Sequence, residues 1–141
     1  MNVSFLMMFA LASSHPSQPF PADAARQLIT NDAKDFESGI ECISVDGTDP
    51  SPSLMATIKK SLPLAAPKSE CTAPSQYVIH KPSGKHVPII SVYDFKQISS
   101  TKATAQYSID AGPLTGNWFR ATFVLSGSEW KLIKVESYME S

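Results

Sequence analysis

A chain of 141 residues, 43% of them apolar, is one domain's worth of sequence and can close a single core without obligatory metal ions or cross-links. Its 12 basic and 13 acidic side chains leave a formal net charge of -1, and no block of like charge occurs, which argues against a nucleic-acid partner. The imbalance is local: residues 1–50 hold seven acids and two bases, leaving ten bases and six acids downstream, as expected of an acidic first helix beside a mildly basic sheet.

In chain order, Val3 to Ala12 is an apolar run of about ten residues, too short to cross a bilayer but the size of a secretory signal core. Ala10-Leu11-Ala12 supplies the small-x-small cleavage pattern, so residues 1–12 read as a signal peptide, cleaved near Ala12 to leave Ser13. No Lys or Arg precedes the run, and no Cys follows it to carry a lipid anchor. The expected location is extracytoplasmic, periplasmic or secreted, with no stable membrane span. Residues 13–22, containing Pro16, Pro19 and Pro21, form a spacer that cannot become helix or central strand.

Residues 23–141 are then a single domain. Asp23 is placed to cap a helix whose Ala25, Leu28, Ile29, Ala33, Phe36 and Ile40 recur at three- and four-residue spacing, and Gly39 is its stop. After the turn-rich Gly47-Thr48-Asp49-Pro50-Ser51-Pro52, Ser53 is expected to cap a short helix bearing Leu54, Met55, Ile58 and Leu62, which Pro63 and Pro67 prevent from continuing. Gln76 to His80 reads as a strand, Lys81 to Lys85 as a turn, and Val87 to Phe95 as a second strand, with Pro88 arguing for an edge or bulge.

The cleanest signal is Lys102 to Asp110, where every odd position is apolar and every even one polar, the period of a strand that buries one face. Gly112, Pro113 and Gly116 mark a turn into Trp118–Leu125, rich in aromatic and β-branched residues, and Ser126-Gly127-Ser128 leads tightly into Trp130–Val135. Three antiparallel strands follow one another.

Cys42 and Cys71 are the only cysteines; in an oxidising compartment they are expected to form a disulfide. A nucleophile with a positioned base has no signature: there is no G-x-S-x-G elbow, and no H-E-x-x-H, C-x-x-C, EF-hand or phosphate-cradling glycine loop. His80 and His86, on the two arms of a hairpin, are the one imaginable metal pair, without an obvious third ligand. No cofactor is expected. Tyr93, Tyr107, Asp110, Trp118, Arg120 and Trp130 are the aromatic or polar-tipped side chains able to line the concave mouth of a sheet curled around a helix. Asp110 would act as a general base there only if burial raised its pKa.

The alternating strand, the turn Gly112-Pro113-Leu114-Thr115-Gly116, the Trp/Phe-rich strand and the closing Ser126-Gly127-Ser128-Glu129-Trp130-Lys131-Leu132-Ile133-Lys134-Val135 resemble the final strands of the cystatin-like, NTF2-like (SnoaL-type) superfamily. The likeness covers residues 87–138, and Asp23 to Ser38 matches more loosely the helix that such a sheet wraps. It implies an α+β fold, an N-terminal helix packed on a curved, mainly antiparallel sheet of four to five strands. It implies no single activity, since such domains include isomerases and dehydratases, ligand binders and structural modules. Three functions are therefore expected to compete. One is a non-enzymatic domain binding a small apolar ligand or a protein partner on the sheet's concave face. Another is an isomerase or lyase with Asp110 as base, and the third is a homodimer or accessory module that buries the sheet against another chain.

Overall fold

The computed structural model describes residues 18–33, 39–74, 76–112 and 116–140. The signal segment, residues 13–17 of the spacer, the last turn expected of the first helix including Phe36, and Pro113-Leu114-Thr115 lie outside the described residues.

Helix α1 spans Ala22–Ala33 and turns Ala24, Ala25, Leu28 and Ile29 inward, all fully buried. Burying Leu28 and Ile29 contributes roughly 1.5–3 kcal/mol each. Helix α2, Pro52–Ser61, buries Leu54, Met55 and Ile58. Its cap is Ser51 and not the expected Ser53: the Ser51 side chain accepts from the Leu54 amide at 3.2 Å. Pro52 decides this, because its fixed φ suits the first helical position and its missing N–H removes an orphan donor.

The main sheet joins β1 (Cys42–Val45), β2 (Ala66–Pro67), β6 (Ile89–Gln97), β7 (Lys102–Asp110), β8 (Gly116–Ser126) and β9 (Glu129–Glu140) in the order β2-β1-β6-β7-β8-β9. Strands β6 to β9 are an antiparallel meander; β1 runs parallel to both neighbours, reaching β2 through α2. Among the described residues the fold is thus α+β, with two helices and a mostly antiparallel sheet. β1 and β2, unforeseen from the sequence, raise it to six strands. The 3₁₀ turn η1 (Lys68–Glu70) leads into a small second sheet of β3 (Cys71–Thr72), β4 (Ile79–His80) and β5 (Lys85–His86). The strand expected over 76–80 is therefore only its last two residues, and Pro88 sits just before β6, where its lack of an N–H costs the ladder nothing.

The alternation in β7 is obeyed residue by residue. Ala103, Ala105, Tyr107 and Ile109 are buried on the helix side, while Thr104, Gln106 and Ser108 on the other face keep partial exposure. Phe95 centres this core, with ring centroids 5.4 Å from Phe20, 5.9 Å from Phe123 and 5.5 Å from Trp130. A bulge between Tyr93 and Lys96, with Asp94 at φ 60°, lets Phe95 point inward although the ladder has slipped by one residue.

α1 is fixed to the sheet's edge by polar side chains as well as by packing. Asp23 Oδ2 accepts from Trp130 N at 2.8 Å, Gln27 Oε1 accepts from Leu132 N at 2.8 Å, and Gln27 Nε2 donates to Trp130 O at 2.6 Å. The Gln27 amide thereby takes the place of a neighbouring strand.

On the opposite face, the small sheet covers the β1–β6 end. Ile40, Cys42, Ala66, Val78 and Val87 form a second, smaller core there, with Ile89 and Cys71 packed against it. Cys42 and Cys71 are joined as a disulfide across a Cα separation of 6.5 Å, tying β1 to β3. Asp49 fastens the preceding turn: hydrogen bonds from the Ser69 hydroxyl and amide hold its carboxyl below the ordinary range. No helix among the described residues is long and apolar enough to cross a membrane.

Closing a 29-residue separation by a disulfide is expected to contribute about 3–4 kcal/mol on the chain-entropy model. The double variant Cys42→Ala/Cys71→Ala should therefore unfold at a lower urea midpoint by that free energy. Amide exchange should accelerate first in residues 79–86, with β7 still protected; uniform acceleration would show that the bridge does not hold the small sheet in place.

Candidate functional site

Strand parity decides which side chains share a surface. The register aligns Ile89, Asp110 and Gly116 in one row across β6, β7 and β8, Ser91, Ser108 and Trp118 in the next, and Tyr93, Gln106 and Arg120 in a third that Glu136 of β9 extends. All of these stand on the face turned away from α1 and α2, since Tyr107 and Ile109, one position off, face the helices. Of the residues singled out in the sequence, Tyr93, Asp110, Trp118 and Arg120 are thus brought together. Tyr107 and Trp130 are not: Tyr107 is fully buried and stacks on Phe119 at 4.7 Å, and Trp130 is packed into the main core against Phe95.

The shared face is wet. Tyr93 and Trp118 are half-buried and Arg120 and Asp110 exposed. Gln106 is oriented by its Nε2, which donates to Asp94 Oδ2 at 2.9 Å. Two clefts meet at Asp110. One, of about 240 Å³, lies among Ser108, Asp110, Gly112, Gly116 and Trp118; the other, of about 260 Å³, runs under the small sheet between Ile89, Val78 and Cys71. The first exists because Gly116 stands directly opposite Asp110 and has no side chain to fill the space. Asp110 Oδ1 accepts from Gly112 N at 3.2 Å, an Asx-type turn that sets the carboxylate on the rim.

The two histidines are kept apart. Ile79 pairs with His86, so His80 projects from the other face of the β4–β5 hairpin. His86 stacks on Tyr77 with centroids 4.6 Å apart. His80 Nε2 lies 3.1 Å from Glu70 Oε1 and its Nδ1 2.8 Å from Ser83 Oγ. A carboxylate only accepts, so Nε2 carries the proton, and in the neutral ring Ser83 donates to Nδ1. The order carboxylate, imidazole, hydroxyl is that of an acyl-transfer relay. Here it is local, since His80 and Ser83 belong to one turn closed by Gly84 N donating to His80 O, and Ser83 Oγ also accepts from Lys85 N. Among the described residues no three His, Cys, Asp or Glu side chains are grouped to hold a metal ion.

Sequence reasoning missed Glu41. It is 1% exposed, and its Oε2 has no hydrogen-bond partner among the described residues. The only signal was its position between Ile40 and Cys42 in an apolar stretch. Burial pushes its carboxyl above the ordinary value of 4.5.

No family model, no curated protein and no solved structure matches this chain.

A raised folded-state pKa means that the folded chain holds the Glu41 proton more tightly than the unfolded chain does. Stability from this group is then greatest below the unfolded pKa and declines as pH rises through it towards the folded value. Glu41→Gln is therefore expected to have a higher urea midpoint than the parent at pH 7, with the gap closing below about pH 4. An equal gap at both pH values would show that Glu41 does not titrate differently on folding.

Proposed function

We propose that this protein is an exported, non-enzymatic binding domain that takes its ligand or partner on the sheet face turned away from the helices, with Trp118 at the centre. The observation that carries this is the gathering of Tyr93, Trp118, Arg120 and Asp110 from three adjacent strands on one uncovered surface, with two clefts meeting beside them. Half-buried aromatics beside an arginine are the composition of binding hot spots. The helix-side face supports no such role, because Leu28, Ile29, Phe95, Tyr107 and Phe123 already fill it.

Export has the support of the apolar opening run with its Ala10-Leu11-Ala12 pattern and of the Cys42–Cys71 disulfide, a bond that persists in oxidising compartments. Membership of the cystatin-like and NTF2-like folds has the support of one helix laid against a four-strand antiparallel meander. The isomerase alternative needs Asp110 in a water-poor pocket, and its exposed position on the rim favours binding instead.

A two-dimensional NMR screen of the disulfide-intact protein against a library of small aromatic and charged fragments tests this reading. Shifts are expected to cluster at the Trp118 indole N–H and the amides of Ser108 and Gly116. Trp118→Ala should weaken binding about tenfold or more, the usual cost of losing an aromatic hot spot, with little change in Tm. Shifts confined to other surfaces, or hits that Trp118→Ala leaves unchanged, would overturn it.

A further inference from the structure

We infer that the cleft between Asp110 and Trp118 receives a cationic side chain, lysine or arginine, presented by a protein partner, an assignment that rests on the uncovered face being the binding surface. Its lining offers a carboxylate, a hydroxyl and an indole, three groups that suit a cation, beside Ile109 and two glycines. Asp110 supplies a carboxylate with one oxygen held by the Gly112 amide. Ser108 adds a hydroxyl able to accept, and Trp118, directly opposite Ser108 in the register, adds an indole. Among the described residues, no Lys, Arg or His lines this cleft. A positive group seated there meets a carboxylate on one side and an aromatic wall on the other, and needs no counter-charge displaced.

Size and setting favour a side chain over a free ligand. About 240 Å³ falls below the roughly 300–1,000 Å³ typical of small-molecule sites, yet accommodates one extended side chain. The cleft opens on the same sheet surface that carries Tyr93 and Arg120, which a docked chain would cover. Across Asp110, the second cleft is walled largely by Ile89, Val78 and Ala73. Its Lys68 is already engaged, donating to Gly47 O at 3.0 Å. An extended segment crossing the Asp110 rim would thus set its cationic residue against Trp118 and an apolar residue under the small sheet.

The probes are the N-acetyl, N′-methylamide derivatives of lysine and norleucine, which share a shape and differ in charge, together with putrescine. Each is titrated at low salt while the Trp118 indole N–H is followed by NMR. The lysine derivative is expected to bind about tenfold more tightly than the norleucine derivative, the size of one charge-assisted contact. Asp110→Asn, which keeps an oxygen for the Gly112 amide and hence the turn, should abolish that difference. Trp118→Leu, which keeps the charge and removes the aromatic wall, should weaken the lysine derivative alone. Norleucine binding at Trp118 as tightly as lysine would overturn the cationic assignment and leave the binding face standing. Putrescine binding while the lysine derivative does not would overturn the protein partner in favour of a free amine. No shift at Trp118 with any probe would overturn both the cleft and the face.

Discussion

Three hydrogen bonds from one turn of α1 to the outer edge of β9 determine how this sheet is covered. Trp130 N, Trp130 O and Leu132 N are edge groups that an open sheet leaves for water or for another chain, and Asp23 and Gln27 satisfy all three. With the helix held at that edge, Leu28 and Ile29 face Phe95 and Phe123 and the helix-side face becomes dry. β9 also carries Lys131 and Lys134, each paired with a nearby glutamate, and two bulges interrupt its ladder. These are the features by which natural edge strands discourage further pairing. The opposite edge, β2, is two residues long and contains Pro67.

Two helices are enough to cover one face of six strands. On the other, the parallel end receives its own cover from the small sheet, and the disulfide holds that cover to β1. The antiparallel end receives none from the described residues. Its rows run from Ile89 through Asp110, from Ser91 to Trp118 and from Tyr93 to Arg120, so the uncovered surface is mixed, aromatic and polar rather than purely apolar. A purely apolar face of that extent would favour self-association, whereas this one keeps water while presenting rigid rings. The candidate site is thus a consequence of how the cover is distributed, and its side chains stand on strands locked by the core beneath them.

How much of this was legible follows from period and length. The meander was legible because β7 alternates over nine residues and its neighbours are long. β1 was not, because Cys42-Ile43-Ser44-Val45 is buried on both faces and so shows no alternation. Strands β2 to β5 are two residues each, shorter than any period can reveal. Ser53 looked like the helix cap because it precedes the apolar run, while Pro52 had already placed the first turn two residues earlier. Tyr107 and Trp130 left the other four residues assigned to one mouth for a simpler reason: composition names aromatics but not their parity. Once Tyr107 pairs with Phe119, Trp118 must face the other way, and Trp130, directly opposite Leu125, shares the face of Phe119 and Phe123.

The distribution of acids bears on what such a face can do. Proton transfer from carbon asks for a carboxylate whose affinity for the proton has been raised by loss of water and which a substrate can still reach. Here burial and access are found on different residues. Glu41 has lost its water but is closed off inside the domain, and Asp110 is reachable but remains solvated on the rim, one oxygen held by the Gly112 amide. A solvated carboxylate beside an indole is a ready counter-charge. On the proposed reading, that geometry suits the Asp110 cleft to holding a positive group in place.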